Sequence, residues 1–300
     1  MSRAWSVSAR REYGKARVCR CWGVARSTHY ARQAACRRPA GSGRRGRPPV
    51  LPEERLAAAI RKVLIEAERL GFRGEGYRKV WARLRFKGIS VSKERVRRLM
   101  RAYGFQSPHR AGSVRGPRVH EGTIIPQAPN RMWGTDATQV WTRLEGMATV
   151  FVAIDHFVGD VVGIHAARPG TRFEALEPIH QGIREHFGPL EAGIATGLLL
   201  RHDHGSQYMS HAFQAELRFL GITSSPSFVR APEGNGVAER FIRTLKEQLL
   251  WVRIFDTVEE LRRALLDFKE RYNHHWLLQR HGYDTPAQVR TAHVPVAKAA

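Results

Sequence analysis

Three acidic residues could do chemistry together: Asp136 inside "WGTDATQVW", Asp203 at the end of "LLLRHD", and Glu239 early in "GVAERFIRTLKEQLL". The first two segments read as β-strands and the third as a helix. A carboxylate within a strand opposes propensity, and a lone buried one costs several kcal/mol or more unless paired or bound to a cation. For Asp203 three roles are open: a metal ligand, the acid of a His–Asp nucleophilic pair, or a polar turn after a buried strand. A nucleophilic triad needs a positioned Ser or Cys, and Ser206 lies in a turn without the "GxSxG" elbow. His202 and His204 flank Asp203 and, by strand alternation, point away from its face. His202 is a weaker candidate ligand, and His204 and Gln207 read as residues that hold the loop or touch DNA. Asp155, which ends "VFVAID", competes with Asp136, but the following "HFVGD" reads as a hairpin turn and makes it a structural or capping acid. Two strand acids and a helix acid meeting at one sheet end would offer hard oxygen ligands suited to Mg²⁺, with Mn²⁺ as a substitute. Two such ions can activate an attacking oxygen and stabilise a leaving one at a phosphodiester.

The helix around Glu239 allows a geometric test. Ala238, Ile242, Leu245 and Leu249 form its apolar stripe, while Glu239, Arg243 and Lys246 share another face. Lys246 stands about 10 Å along the axis from Glu239, a reach suited to a phosphate. An ordinary i, i+4 ion pair between Glu239 and Arg243 on a solvated face explains the same spacing equally well.

The elements that would position these acids follow from periodicity. "WGTDATQVW", "MATVFVAIDHF" and "VVGIHAA" read as strands, followed by a helix over about 171–187, a strand at "GLLLRHD", a helix at "HAFQAELRFLG" and an extended "ITSSPSF". The long helix through "GNGVAERFIRTLKEQLL" and a last helix over about 257–272 complete an α/β mixed sheet covered by helices. Upstream, a helix carries Leu56, Ile60, Val63, Leu64, Ala67 and Leu70 on one stripe, and a second carries Tyr77, Val80, Trp81 and Leu84. Ser92 is placed to cap a third, with Val96, Leu99, Met100 and Tyr103 inward and Lys93, Arg97, Arg98 and Arg101 outward. Short helices joined by Gly-containing turns make this a helix-turn-helix-like region. "RVCRCWGVARSTHYARQ" is a further, fainter fragment of that kind.

These readings divide the chain into a basic helical segment (1–40), a linker (41–50), a helical DNA-binding region (51–105), a second linker (106–130), the catalytic core with its C-terminal helix (131–290) and a tail (291–300). The 300 residues carry a net charge of +23, and all of the excess lies in residues 1–130, with 31 Lys/Arg against 8 Glu. A basic block of that size suits a polyanion, and nucleic acid is the expected partner. No apolar run approaches the ~18–20 residues of a membrane span, and "MSRAWSVSAR" lacks a signal peptide's apolar core. The expected location is therefore cytoplasmic, with no membrane partner. Cys19 and Cys21 are separated by one residue, too close for the usual zinc pair with His29 and Cys36, so free thiols are expected.

"WGTDATQVW", "LLLRHDHGSQYMS" and "APEGNGVAERFIRTLKE" together resemble the catalytic domain of DDE transposases in the retroviral-integrase superfamily. They are most similar to the second-frame protein of bacterial insertion sequences with two overlapping reading frames. Asp203 and Glu239 are separated by 35 residues, and Lys246 follows Glu239 by seven, as in that family. The resemblance covers about residues 130–290, including "RYNHHWLLQRHGYDTPAQVR", and less sharply 50–105. It implies a ribonuclease H-like fold with Asp136, Asp203 and Glu239 as a Mg²⁺-binding triad. It also implies cleavage at the element's terminal repeats and attack of the freed 3′-OH on another phosphodiester, in the element itself or in target DNA. The partners implied are DNA, further copies of the chain on that DNA, and a first-frame protein. Beginning at Met1, the chain reads as the unfused second-frame product in a bacterial cytoplasm, at the nucleoid when DNA-bound. A DNA-binding regulator that no longer cuts, and a ribonuclease H-type nuclease that hydrolyses without joining, are the alternatives.

Overall fold

Ala148, Val150, Val152 and Ile154 alternate with Phe151 and Ala153 along residues 146–155, and all six are buried. Period-two burial on both sides means a strand with helices over each face of its sheet. The computed structural model describes residues 4–36, 51–107, 126–227 and 235–293, and the strand is the second of five in its central sheet. The chain forms two compact units, residues 1–52 and 53–300.

In the first unit, a two-stranded antiparallel ribbon, β1 (Trp5–Ser6) and β2 (Arg11–Glu12), precedes helices α1 (Lys15–Cys21) and α2 (Arg26–Cys36). The turn between the helices contains Gly23 at φ 61°, a left-handed conformation that glycine adopts without strain. Cys19 is buried, Cys21 and Cys36 are exposed, and all three thiols are free.

The second unit opens with α3 (Glu53–Arg69), α4 (Tyr77–Phe86) and α5 (Lys93–Ala102). Most of their buried residues come from the sequence stripes: Leu56, Ile60, Val63 and Ala67, then Val80 and Leu84, then Val96, Leu99 and Met100; Leu64, Leu70, Tyr77 and Trp81 are half-buried, and Ala57 and Ala82 are buried beside them. Ser92 caps α5, its hydroxyl accepting from the Arg95 N–H at 3.3 Å. Tyr103 corrects the expected inward stripe. The helix stops at Ala102, and Tyr103 lies exposed with its ring stacked on Phe105. The linker 41–50, most of the linker 106–130 and most of the tail 291–300 lie outside the described residues.

The sheet comprises β3 (Met132–Thr142), β4 (Gly146–Asp155), β5 (Val161–Ala167), β6 (Leu199–His202) and β7 (Thr223–Pro226). Its order is β5-β4-β3-β6-β7, with β3, β4 and β5 antiparallel and β6 and β7 parallel to β3. This is the ribonuclease H-like arrangement: a three-stranded meander extended on its first strand by two parallel crossovers. Helices α6 (Arg172–His186), α7 (Ser206–Met209) and α8 (His211–Leu220) cover one face, where Trp133, Phe151, Leu200, Tyr208 and Phe213 pack together. Gly163 lets α6 approach, because a Cβ there would run into the Pro178 carbonyl.

The opposite face is covered by α9 (Gly236–Leu245), a π-helical turn (Lys246–Leu250) and α10 (Val258–His275). Phe241, Leu245, Leu265 and Phe268 pack there on Val150, Val152 and Ile154. The expected single long helix thus changes winding at Lys246, and the last expected helix runs on to His275. A short 3₁₀ turn (Gln279–His281) and α11 (Pro286–His293) follow. Arg290 of α11 is paired with buried Asp160, at 2.9 Å from one carboxylate oxygen, and with buried Asp155 at 3.3 Å.

The helical segment leans on the core. Phe72 is buried in the α9–α10 cluster and meets Trp276 edge-on at 5.2 Å. Gln248 exchanges two hydrogen bonds with the Arg73 backbone, at 2.8 and 3.0 Å. Phe72→Ala should therefore destabilise the unit by about 3–5 kcal/mol, the usual cost of emptying an aromatic core site. Chemical denaturation checks this, and an unchanged midpoint would mean the two parts do not share a core.

Candidate active site

The parallel pairing of β3 with β6 sets Met132 opposite Leu199, Trp133 opposite Leu200 and Gly134 opposite Arg201. Continued by two residues, that register brings Asp136 beside Asp203, on strands about 4.8 Å apart. Trp133 and Leu200 both face the α6–α8 side. By alternation Asp136 and Asp203 therefore face the other side, the one covered by the helix that carries Glu239. Leu198 and Leu200 are buried, and the strand they lead into and form is hydrogen-bonded on both edges, which explains the apolar run before Asp203.

Asp136 Oδ1 accepts from the N–H of Ala137 at 2.8 Å. Asp203, one residue past the end of β6, closes a turn by accepting from the Gly205 N–H at 2.8 Å. Burial pushes the Asp136 carboxyl up to about 6, and the charges of Asp203 and Glu239 push the same way; the Ala137 N–H and the Lys246 ammonium pull back. Burial alone raises Glu239. Asp136 thus carries a charge that its surroundings do not neutralise.

The histidines turn away as alternation requires. His202 is fully buried, with Nε2 bonded to Ser224 Oγ at 2.8 Å and Nδ1 to the Asp203 carbonyl at 2.7 Å. Neither ring nitrogen is left for a ligand. His204 holds the loop through Ser227 O at 2.8 Å. Asp155 accepts from the N–H groups of Asn130, Phe157 and Val158 and faces Arg290, so it is a capping acid apart from the other three.

Among the other candidates, Lys246 is half-buried near Asp136, whereas Arg243 is exposed and pairs with Glu247 at 3.0 Å. The expected alternative partner, Glu239, is not the one it takes: Glu247 lies on the turn of helix beyond Arg243. On α5, Arg97 forms a fork with Glu94 and Arg98 pairs with Glu53, both at 2.7 Å. Lys93 lies over the Trp81 ring at 4.3 Å, and Arg101 is exposed. Exposed pairs of this kind are worth under about 1 kcal/mol and yield readily to a phosphate.

Four neighbours carry no sequence signal of their own. Tyr208 is fully buried, and the charges of Asp136 and Asp203 add to burial in holding its phenol protonated. Asn235 donates from Nδ2 to the Thr135 carbonyl at 2.9 Å, one residue from Asp136. His156 and Asn235 meet over Gly134, where a Cβ would run into His156 Nε2 and lie 2.6 Å from Asn235 Oδ1. Each belongs to the site only because the fold brings distant segments together.

Carboxylates on this face, with the His202 and His204 imidazoles engaged elsewhere, make a hard-oxygen donor set that suits Mg²⁺ better than softer metals. Among the described residues no three carboxylate, imidazole or thiol side chains are gathered tightly enough to enclose a cation as they stand. No helix among them is long and apolar enough to cross a membrane.

Comparison with known proteins agrees in outline. The integrase core domain family matches residues 220–286, and the HTH-like domain family matches residues 52–112. The chain is 27% identical over 294 residues to the transposase for insertion sequence element IS629 of Shigella sonnei, covering 95% of this chain and 94% of that one. It is 26% identical over 222 residues to transposase InsD for insertion element IS2D of Escherichia coli K12, covering 71% and 72%. The catalytic core domain of BIV integrase aligns with a TM-score of 0.40 at 22% identity, over 54% of this chain and 95% of that one. The chain is thus similar to transposases of insertion sequences, and matches to an HTH-like domain and an integrase core domain follow one another along it.

Proposed function

We propose that this chain is a divalent-cation-dependent DNA strand transferase that cuts element ends and joins the freed 3′-OH to another phosphodiester. The observation that carries the reading is the β3–β6 register, which sets Asp136 beside Asp203 under the helix of Glu239. Half-buried Asp136 and exposed Asp203 on one sheet face, with the ammonium of Lys246 near Asp136, form a site whose charge calls for a bound cation. Asp136 and Asp203 would hold Mg²⁺, or Mn²⁺ in its place, with Glu239 turning in from α9 as the third ligand. When bound, such ions activate the attacking oxygen and stabilise the leaving one. Lys246, about two turns beyond Glu239, orients the phosphate next to the scissile one, and Arg243 exchanges Glu247 for DNA. Lys93, Arg97, Arg98 and Arg101 hold duplex phosphates along α5, which gives affinity and register without base choice. Cleavage and joining use the same carboxylates and differ only in whether water or a 3′-OH attacks. Two DNA ends must be paired for joining, so copies of the chain assemble on DNA in the bacterial cytoplasm, with a first-frame protein as a further partner for end recognition.

Three outcomes test this reading. Asp136→Asn, Asp203→Asn and Glu239→Gln should each lower Mg²⁺-dependent nicking and joining of element-end DNA by at least about 10³-fold, while gel-shift affinity stays within about twofold. Cutting retained by any one variant removes that residue from the site. Replacing Lys93, Arg97 and Arg101 by Ala should flatten the slope of log affinity against log salt by roughly 0.9 for each phosphate no longer neutralised; an unchanged slope rules out their role at the backbone.

The third outcome concerns pH in cation-free buffer. Asp136 is raised above its unfolded value, so its favourable contribution is complete below about pH 4 and disappears as pH rises through about 6. Asp136→Asn should therefore unfold at higher temperature than wild type in EDTA at pH 7, by the equivalent of about 2–3 kcal/mol. That advantage should shrink towards pH 4 and reverse when Mg²⁺ is added. Thermal melts across pH 4–8 check it, and parallel curves for the two proteins would contradict the uncompensated charge.

A further inference from the structure

Gly134 lies two residues before Asp136 and so shares its face of β3. Above it, His156 Nε2 and Asn235 Oδ1 are both closed to solvent, and neither has a hydrogen-bond partner among the described residues. Both would be struck by a Cβ at position 134. The two side chains arrive from different segments, each tied to β3 by its own bond. The His156 backbone N–H donates to the Met132 carbonyl at 2.9 Å, and Asn235 Nδ2 donates to the Thr135 carbonyl at 2.9 Å. Asn235 immediately precedes α9, and Glu239 follows it by four residues, about one helical turn.

We propose that His156 and Asn235 form a positioning clamp in which His156 Nε2–H donates to Asn235 Oδ1 across Gly134, fixing the first turn of α9 and thereby Glu239 against the strand that carries Asp136. Gly134 is the residue that permits it, since any side chain there would part the two arms. Burial holds the His156 ring neutral, its pKa drawn down to about 4, so one ring nitrogen keeps a proton for donation at working pH. The clamp acts through Glu239 and touches neither DNA nor cation; it rests on the reading of Asp136, Asp203 and Glu239 as the cation site.

The test uses the full chain and Mn²⁺ as the probe, with binding followed by electron paramagnetic resonance and cleavage followed as a function of Mg²⁺. His156→Ala and Asn235→Ser should weaken Mn²⁺ binding and raise the Mg²⁺ midpoint by about tenfold or more, the usual effect of losing an outer-shell support. DNA binding in EDTA should be unchanged. His156→Gln places an amide N–H near the position of Nε2 and should recover most of the loss; because it fills the same space, it also guards against a result that reflects unfolding. A purely structural role would lower the melting temperature of the Ala and Ser variants without moving Mn²⁺ affinity. Wild-type Mn²⁺ affinity in both variants, or His156→Gln as impaired as His156→Ala, overturns the clamp. Glu239→Gln measured alongside separates the two ideas. If it cuts normally the triad reading fails and the clamp with it, whereas an inactive Glu239→Gln beside unaffected His156→Ala overturns the clamp alone.

Discussion

The parallel register between β3 and β6 is the constraint on which the site depends. Strand side chains alternate with a period of two, so a slip of one residue would turn Asp203 to the α6–α8 side and His202 to the side of Asp136. Trp133 opposite Leu200 prevents that slip, because both are fully buried among Phe151, Ile179 and Phe213. The chemistry on one face is thus held in place by apolar packing on the other. His202, tilted against Tyr208, edge-on to Phe213 and bonded to Ser224, adds a polar pin on the same buried side.

Glu239 depends on a second set of contacts. The α9 stripe of Phe241, Ile242 and Leu245 packs on the β4 valines and on Phe268 and Tyr272 of α10. The helical segment reaches this layer through Phe72 and through the Arg73 backbone, which Gln248 holds. A change at that junction can be felt at Glu239 without any contact with DNA, through a path of packed side chains. The buried Asp155–Arg290–Asp160 cluster does similar service at the other end, tying α11 to the turn after β4. It costs desolvation, and its ion pairs hold only as long as all three members are present.

Much of this was legible in the sequence because it is periodic. The β-branched, aromatic run in "MATVFVAID" and the 3.6-residue stripes of α3 and α4 follow directly from which side chains must leave water. Asp136 and Asp203 stood out because acids in apolar strands need a reason, and Glu239 through its face of the helix shared with Arg243 and Lys246. What was not legible depends on tertiary context. Tyr103 fits the α5 stripe by spacing, yet the helix ends one residue earlier. The π turn at Lys246 arises where α9 gives way to the loop before α10, and nothing in "LKEQLL" marks it. Arg243 chose Glu247 over Glu239, an ambiguity that spacing alone cannot resolve. Asn235, His156 and Gly134 are separated by up to 101 positions, so only the folded chain brings them together.

The central claim is that these carboxylates form one cation site serving DNA strand chemistry. The most direct measurement is a titration of Mn²⁺ into the full chain bound to element-end duplex, comparing wild type with Asp136→Asn. The account predicts about two ions per chain in the wild-type complex and loss of that binding in the variant, with DNA still held. Equal Mn²⁺ uptake by both proteins would contradict it, since the cation would then lie elsewhere.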